Sequence, residues 1–99
     1  ALGLEGWVNV DLDAKVYLMR LQKKVGGQMN VLAGWRTEEY NKEIGESPES
    51  PHLTGIALDV EIAGDPDEWV KAAYESGFGY AKVQGKHIHL DLTSRPRPE

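Results

Sequence analysis

The stretch Ile56-Ala57-Leu58-Asp59-Val60-Glu61-Ile62 alternates strictly, with Ile56, Leu58, Val60 and Ile62 on one side and Ala57, Asp59 and Glu61 on the other. Successive side chains of an extended chain point to opposite faces, so this pattern specifies a strand with one dry face. Lys86-His87-Ile88-His89-Leu90-Asp91-Leu92 repeats it, separating Ile88, Leu90 and Leu92 from His87, His89 and Asp91. Just before it, Gly79 to Val83 reads as a partner strand, and Gln84-Gly85 offers the positive φ that a tight hairpin turn requires. Strands that each keep one apolar face need a second layer to cover it. Two helical segments supply that layer. Asp13 is placed to cap a helix carrying Ala14, Tyr17, Leu18, Leu21 and Val25 at helical spacing, with Gly26 and Gly27 at its end. Asp65 as cap and Pro66 as first helical residue open another, with Trp69, Val70, Ala73 and Tyr74 on one stripe and Gly77 closing it. The expected fold is therefore α+β: a small antiparallel sheet with helices packed on one face and the polar residues on the other. Ile56, Val60, Ile88 and Leu90 should meet Leu18, Leu21, Trp69 and Ala73.

Further toward the N-terminus, Met29 to Trp35 reads as a short strand that delivers Trp35 and Arg36 to its end. Thr37 then starts a turn of helix whose first residues, Glu38 and Glu39, suit the positive end, and Gly45 stops it after Ile44. Glu46 to Gly55, rich in proline and small polar residues, reads as a loop. The whole is 99 residues and 11.0 kDa, enough for one domain, here residues 1–94 followed by a Pro-rich tail over 95–99. A monomer of that mass hides ~65% of the surface its unfolded chain exposes, so the core is thin. With no cysteine there is no disulfide framework, and any further staple has to be a metal, a ligand or a partner. Hydrophobic residues at 40% and charged residues at 27%, spread along the chain, argue for a folded domain over disorder. Eleven basic against sixteen acidic residues give a net charge of −5 with no basic face, so nucleic acid is not an expected partner. No apolar run approaches the ~20 residues of a membrane span. The chain begins at Ala1 without an initiator methionine, which fits removal of a leader or a neighbouring domain.

The polar faces of the two strands carry Asp59, Glu61, His87, His89 and Asp91, where a small domain ordinarily places solvating residues. His52 lies just before the first strand, and Gly55 lets the chain bend between them, so the imidazole is able to fold back over Asp59. If the two strands are neighbours, His52, Asp59 and His89 converge. Two imidazoles and one carboxylate suit a divalent ion of borderline softness, and three protein ligands leave a fourth tetrahedral position open. Read singly, each residue has a plainer use. Histidines are common on solvated strand faces, Asp59 serves as an edge-strand charge, and Arg36 as a surface ion-pair partner. Trp35, Trp69 and Tyr74 pack as core or rim, and Glu46 and Glu49 are solvated loop charges.

Four blocks carry a resemblance: Gly-Trp-Arg-Thr-Glu-Glu-Tyr-Asn (Gly34 to Asn41), Ser-Pro-His-Leu-Thr-Gly-Ile-Ala-Leu-Asp-Val (Ser50 to Val60), Gly-Phe-Gly-Tyr (Gly77 to Tyr80) and His-Ile-His-Leu-Asp (His87 to Asp91). In this order they resemble the D-alanyl-D-alanine carboxypeptidase family of zinc peptidases, and most of all its small murein endopeptidases and phage endolysins. The resemblance implies that His52, Asp59 and His89 bind Zn2+ and that Arg36 polarises the scissile carbonyl. It implies further that Ser50 contacts the substrate peptide, although its hydroxyl caps the loop equally well. Several relatives place a carboxylate base three residues before the last histidine ligand, where this chain has Lys86. Another branch uses a His-x-His pair, and His87 shares a strand face with His89. His87 is accordingly the expected general base, with Asp91 holding the His89 ring or acting electrostatically.

The expected activity is zinc-dependent hydrolysis of amide bonds in peptidoglycan stem peptides or cross-links, as a carboxypeptidase or an endopeptidase. The alternative is a non-catalytic zinc-binding recognition module, as in the Hedgehog signalling domain, which resembles the same family. The expected partner is a peptidoglycan peptide bound by a monomer at the cell envelope, after secretion or on a phage particle.

Overall fold

The structure, a computed structural model, describes residues 3–26 and 29–94. Gly27 and the Pro-rich segment from 95 to 99 lie outside the described residues. In chain order the elements are α1 (Leu4–Val8), α2 (Leu12–Val25), β1 (Val31–Ala33), α3 (Glu38–Glu43), a 3-10 turn (Pro51–Thr54), β2 (Ala57–Glu61), α4 (Pro66–Ser76), β3 (Tyr80–Gln84) and β4 (His87–Asp91). The four strands form one antiparallel sheet in the order β1-β2-β4-β3. The α+β architecture read from the alternating strands is the one observed.

Both long helices begin at an aspartate cap. Asp65 accepts from the Asp67 N–H at 3.0 Å, and Pro66 occupies the first turn, where no N–H is needed. For α2 the cap is Asp11, which accepts from the N–H of Asp13 at 2.9 Å, so the helix starts two residues earlier than the spacing suggests. Two aspartates two apart offer the same local signal, and the tertiary bond from the Asp11 N–H to the Gly55 carbonyl, 2.7 Å, fixes which one caps. The short α1 lacks a buried residue, leaving Leu4 and Val8 exposed, and no amphipathic pattern announces it. The turn between β3 and β4 falls at Gly85 and Lys86, one residue later than expected. Gly85 has φ +61°, and among the described residues no non-glycine residue has positive φ, as suits a two-residue turn with glycine first.

The core lies between the sheet and the two long helices. Leu58 and Val60 of β2, Ala81 of β3, and Ile88 and Leu90 of β4 pack on Ala14, Leu18 and Leu21 of α2 and Trp69, Ala72 and Ala73 of α4. Ile56 precedes β2 and is only half-buried, so Leu58 takes the place expected of it. The opposite face bears three cross-strand rows: Ala57–Asp91–Tyr80, Asp59–His89–Lys82 and Glu61–His87–Gln84. The Ile62 N–H bonds the Lys86 carbonyl at 2.9 Å and the Leu92 N–H bonds the Ile56 carbonyl at 3.1 Å. Those bonds make Asp59/His89 a non-hydrogen-bonded pair, the kind that brings opposed side chains closest.

Candidate metal centre

His52 is positioned by local chemistry. The Ser50 hydroxyl oxygen accepts from the His52 N–H at 3.3 Å, Pro51 opens the 3-10 turn, and Gly55 ends it at φ +76°. A Cβ at Gly55 would run into the Asn9 carbonyl, so both its dihedral and the close approach of the α1–α2 junction require glycine. A second bond, from the Trp35 N–H to the Gly6 carbonyl at 2.9 Å, ties α1 to the segment carrying Arg36. The α1 region thus braces the site at two points. Within the bend, His52 is 3% exposed and its Nδ1 donates to the Gly34 carbonyl at 2.7 Å. A carbonyl only accepts, so Nδ1 carries a proton and it is Nε2 that faces the cluster.

His52 Nε2 lies 3.4 Å from Asp59 Oδ2. On the neighbouring strand His89 lies between two carboxylates, Nδ1 3.0 Å from Asp59 Oδ1 and Nε2 2.7 Å from Asp91 Oδ2. Asp91 is fully buried and also accepts from the N–H (2.9 Å) and the hydroxyl of Thr93. The Arg36 guanidinium reaches Asp59 Oδ2 at 3.4 Å, and its backbone N–H bonds the His52 carbonyl at 3.2 Å.

The electrostatics follow from these contacts. Burial alone would raise the Asp59 carboxyl, but hydrogen bonds and charge from His52 and His89 carry it well below the usual carboxylate range. Burial alone would lower His89, and the two carboxylates flanking it overcome that and push it up to about 9. Asp91, which burial would raise, is lowered by His89 and Thr93. The ring of His89 is therefore doubly protonated in the metal-free protein, its two N–H groups donating to two carboxylates.

One ligand atom from each of His52, Asp59 and His89 lies within 4.8 Å of the others. The donor set fits a divalent cation: His52 Nε2, His89 Nδ1 and an Asp59 oxygen converge, while Gly34 and Asp91 hold the far ring nitrogens. Metal-binding histidines are commonly oriented in this way, by a carbonyl or carboxylate behind the ring. Of the other expected site residues, Arg36 joins the cluster through Asp59, and Asp91 lies behind His89. Ser50 caps the His52 turn and lines the cavity. His87 lies one row away on the same face, half-buried, opposite Glu61 and Gln84.

Above the cluster is an open cavity of about 440 Å³. Its walls include residues that the sequence reading did not place at the site: Tyr80, Lys82 and Gln84 from β3, and Glu46 and Glu49 from the loop. The β3 alternation of Tyr80, Lys82 and Gln84 carried this signal, and only the register shows that these residues share the face of His89. Of the aromatic residues, Trp69 is core, with Nε1 bonded to the Ala63 carbonyl at 2.8 Å, and the Tyr74 hydroxyl accepts from the Ala81 N–H at 3.1 Å. Trp35 lines a neighbouring cavity with Arg36.

A family model described as peptidase M15 matches residues 5–91. Comparison with the curated proteins returned no match. Among solved structures, the chain is similar to the L-Ala D-Glu endopeptidase ChiX of Serratia marcescens, with TM-score 0.62 and 22% identity. That match covers 90% of this chain and 84% of the other.

Proposed function

The chain belongs to the peptidase M15 family of metallopeptidases, and on that premise we propose that it is a zinc-dependent hydrolase of amide bonds in peptidoglycan stem peptides. The observation that carries this reading is the convergence of His52 Nε2, His89 Nδ1 and Asp59 on one point beneath an open cavity, each ring braced from behind. Zinc, held by these three residues, would supply an acidified water, with a pKa lowered to about 7, and Lewis-acid polarisation of the scissile carbonyl.

The chain's own residues do the rest. Arg36, fixed by its backbone bond to His52 and its ion pair with Asp59, presents a guanidinium to the oxyanion of the tetrahedral intermediate. His87, on the same face as His89, takes the proton of the attacking water and returns it to the leaving amine. Ser50 lines the wall along which the peptide lies. The solved structure of similar fold is an L-Ala D-Glu endopeptidase, which favours cleavage between L-Ala and D-Glu over removal of a terminal D-Ala.

The test is incubation of zinc-loaded protein with purified muropeptides, followed by mass analysis. Cleavage between L-Ala and D-Glu is expected, and release of terminal D-Ala would assign the carboxypeptidase reaction instead. His87→Ala should cost about 10²- to 10⁴-fold in kcat while zinc uptake is unchanged. Full activity in that variant would move the base to Glu46 or Glu49, the carboxylates at the cavity wall. Zinc uptake without any cleavage by the unaltered protein would leave the recognition module as the function.

A further inference from the structure

Across the sheet face the charged groups fall in one line. Arg36 stands beside Asp59, Asp59 opposite His89, and His89 opposite Lys82. The two cations at its ends are not equivalent. Arg36 is half-buried and ion-paired to Asp59 at 3.4 Å, so its charge is already balanced. Lys82 is exposed, lines the cavity, and has no ion pair among the described residues. Its strand neighbour on the same face, Gln84, lines the cavity too and adds a neutral amide donor. The loop wall is acidic, with Glu46 and Glu49. The cavity therefore has one wall that repels a carboxylate and one that attracts it, with the candidate metal ligands between.

We propose that Lys82, assisted by Gln84, is the specificity residue that reads a free carboxylate on the substrate residue contributing the leaving nitrogen. The proposal rests on the hydrolase reading above and adds the chemical class of substrate. With the carbonyl oxygen held at the Arg36 end of the line, the leaving residue extends toward the Lys82 end. A glutamate joined onward through its side-chain carboxyl keeps its α-carboxylate free at that position, and converting this group to a carboxamide removes the charge Lys82 recognises. An edge-strand lysine also discourages pairing with another chain, but a glutamate would serve that purpose equally. Charge reversal separates the two roles.

The experiment compares two synthetic stem peptides containing L-Ala-γ-D-Glu, one with the α-carboxylate free and one with it as the carboxamide. Each is tested against the zinc-loaded full chain and its variants, both for hydrolysis and for binding by NMR chemical-shift titration. Unaltered protein should prefer the carboxylate about five- to tenfold in Kd and KM, the range of a partly exposed charge-assisted bond. Lys82→Ala should abolish that preference with kcat within about twofold, Lys82→Glu should reverse it, and Lys82→Arg should keep most of it. Binding with that preference but without cleavage supports the Lys82 assignment and overturns only the hydrolase. Equal binding of the two peptides, no binding of either, or a preference untouched in both Lys82→Ala and Lys82→Glu overturns the assignment, whatever the catalytic result.

Discussion

His89 in the metal-free protein is gripped by Asp59 and Asp91, and that grip has a sign. Its pKa is raised to about 9 from 6.5, so the folded state binds this proton more tightly than the unfolded chain. The stabilisation is complete below about 6.5 and disappears as the pH rises through about 9. Asp59 is lowered from 3.8, so its contribution is present above that value and is lost as the pH falls. The metal-free form is therefore best stabilised by this cluster between about pH 4 and 6.5. Zinc needs the Nδ1 lone pair, so binding at pH 7 should expel about one proton from His89. Calorimetry in two buffers of different ionisation enthalpy measures that number, and a value of zero would show that His89 is not a ligand. Asp59 and His89 stood out in the sequence on the polar faces of two strands and His52 in the loop before the first of them, and it was the family resemblance that joined the three into one ligand set. Which nitrogen of each ring faces the cluster was not legible, because Gly34 and Asp91 decide it through space.

Among the elements, legibility follows locality. The α4 helix was readable from Asp65, Pro66, the stripe at Trp69 and Ala73, and Gly77, all of which act within a few residues. So was the β3–β4 hairpin, to within one residue at its turn. By contrast α1 turns Leu4 and Val8 to solvent while Trp7 packs against the core, and its bracing shows in the bonds from the Trp35 N–H to the Gly6 carbonyl and, just beyond the helix, from the Asp11 N–H to the Gly55 carbonyl. The loop expected over 46–55 contains one turn of 3-10 helix, which aims His52. Gly55→Ala tests that linkage. The variant combines left-handed strain with collision against the Asn9 carbonyl, and should cost ~2–3 kcal/mol and weaken zinc binding. Gly64, at φ +86° with nothing near its would-be Cβ, provides the control. Gly64→Ala should cost only about 1 kcal/mol and leave zinc affinity unchanged. Thermal melts with a chelator competition assay read both, and equal losses in the two variants would remove the brace from the account.

For the molecule as a whole, a thin core without cysteine makes a bound cation a proportionately large stabiliser. Zinc at about 100 times its Kd should add ~2.7 kcal/mol, which for a domain of this size raises Tm by roughly 10–20 °C. Scanning calorimetry with zinc and with a chelator checks this, and superimposable melts would show that the native state holds no zinc. The order of the strands was the least legible feature, since no local signal tells β2 to pair with β4 across α4 and β3. Yet that pairing puts Asp59 against His89, 30 positions apart in the chain. A slip of one residue between these strands would turn one of the two toward the helices. A coloured surrogate ion such as cobalt would thus act as a stopwatch during refolding. Its absorption band would appear only once this late, long-range seam has closed in its proper alignment.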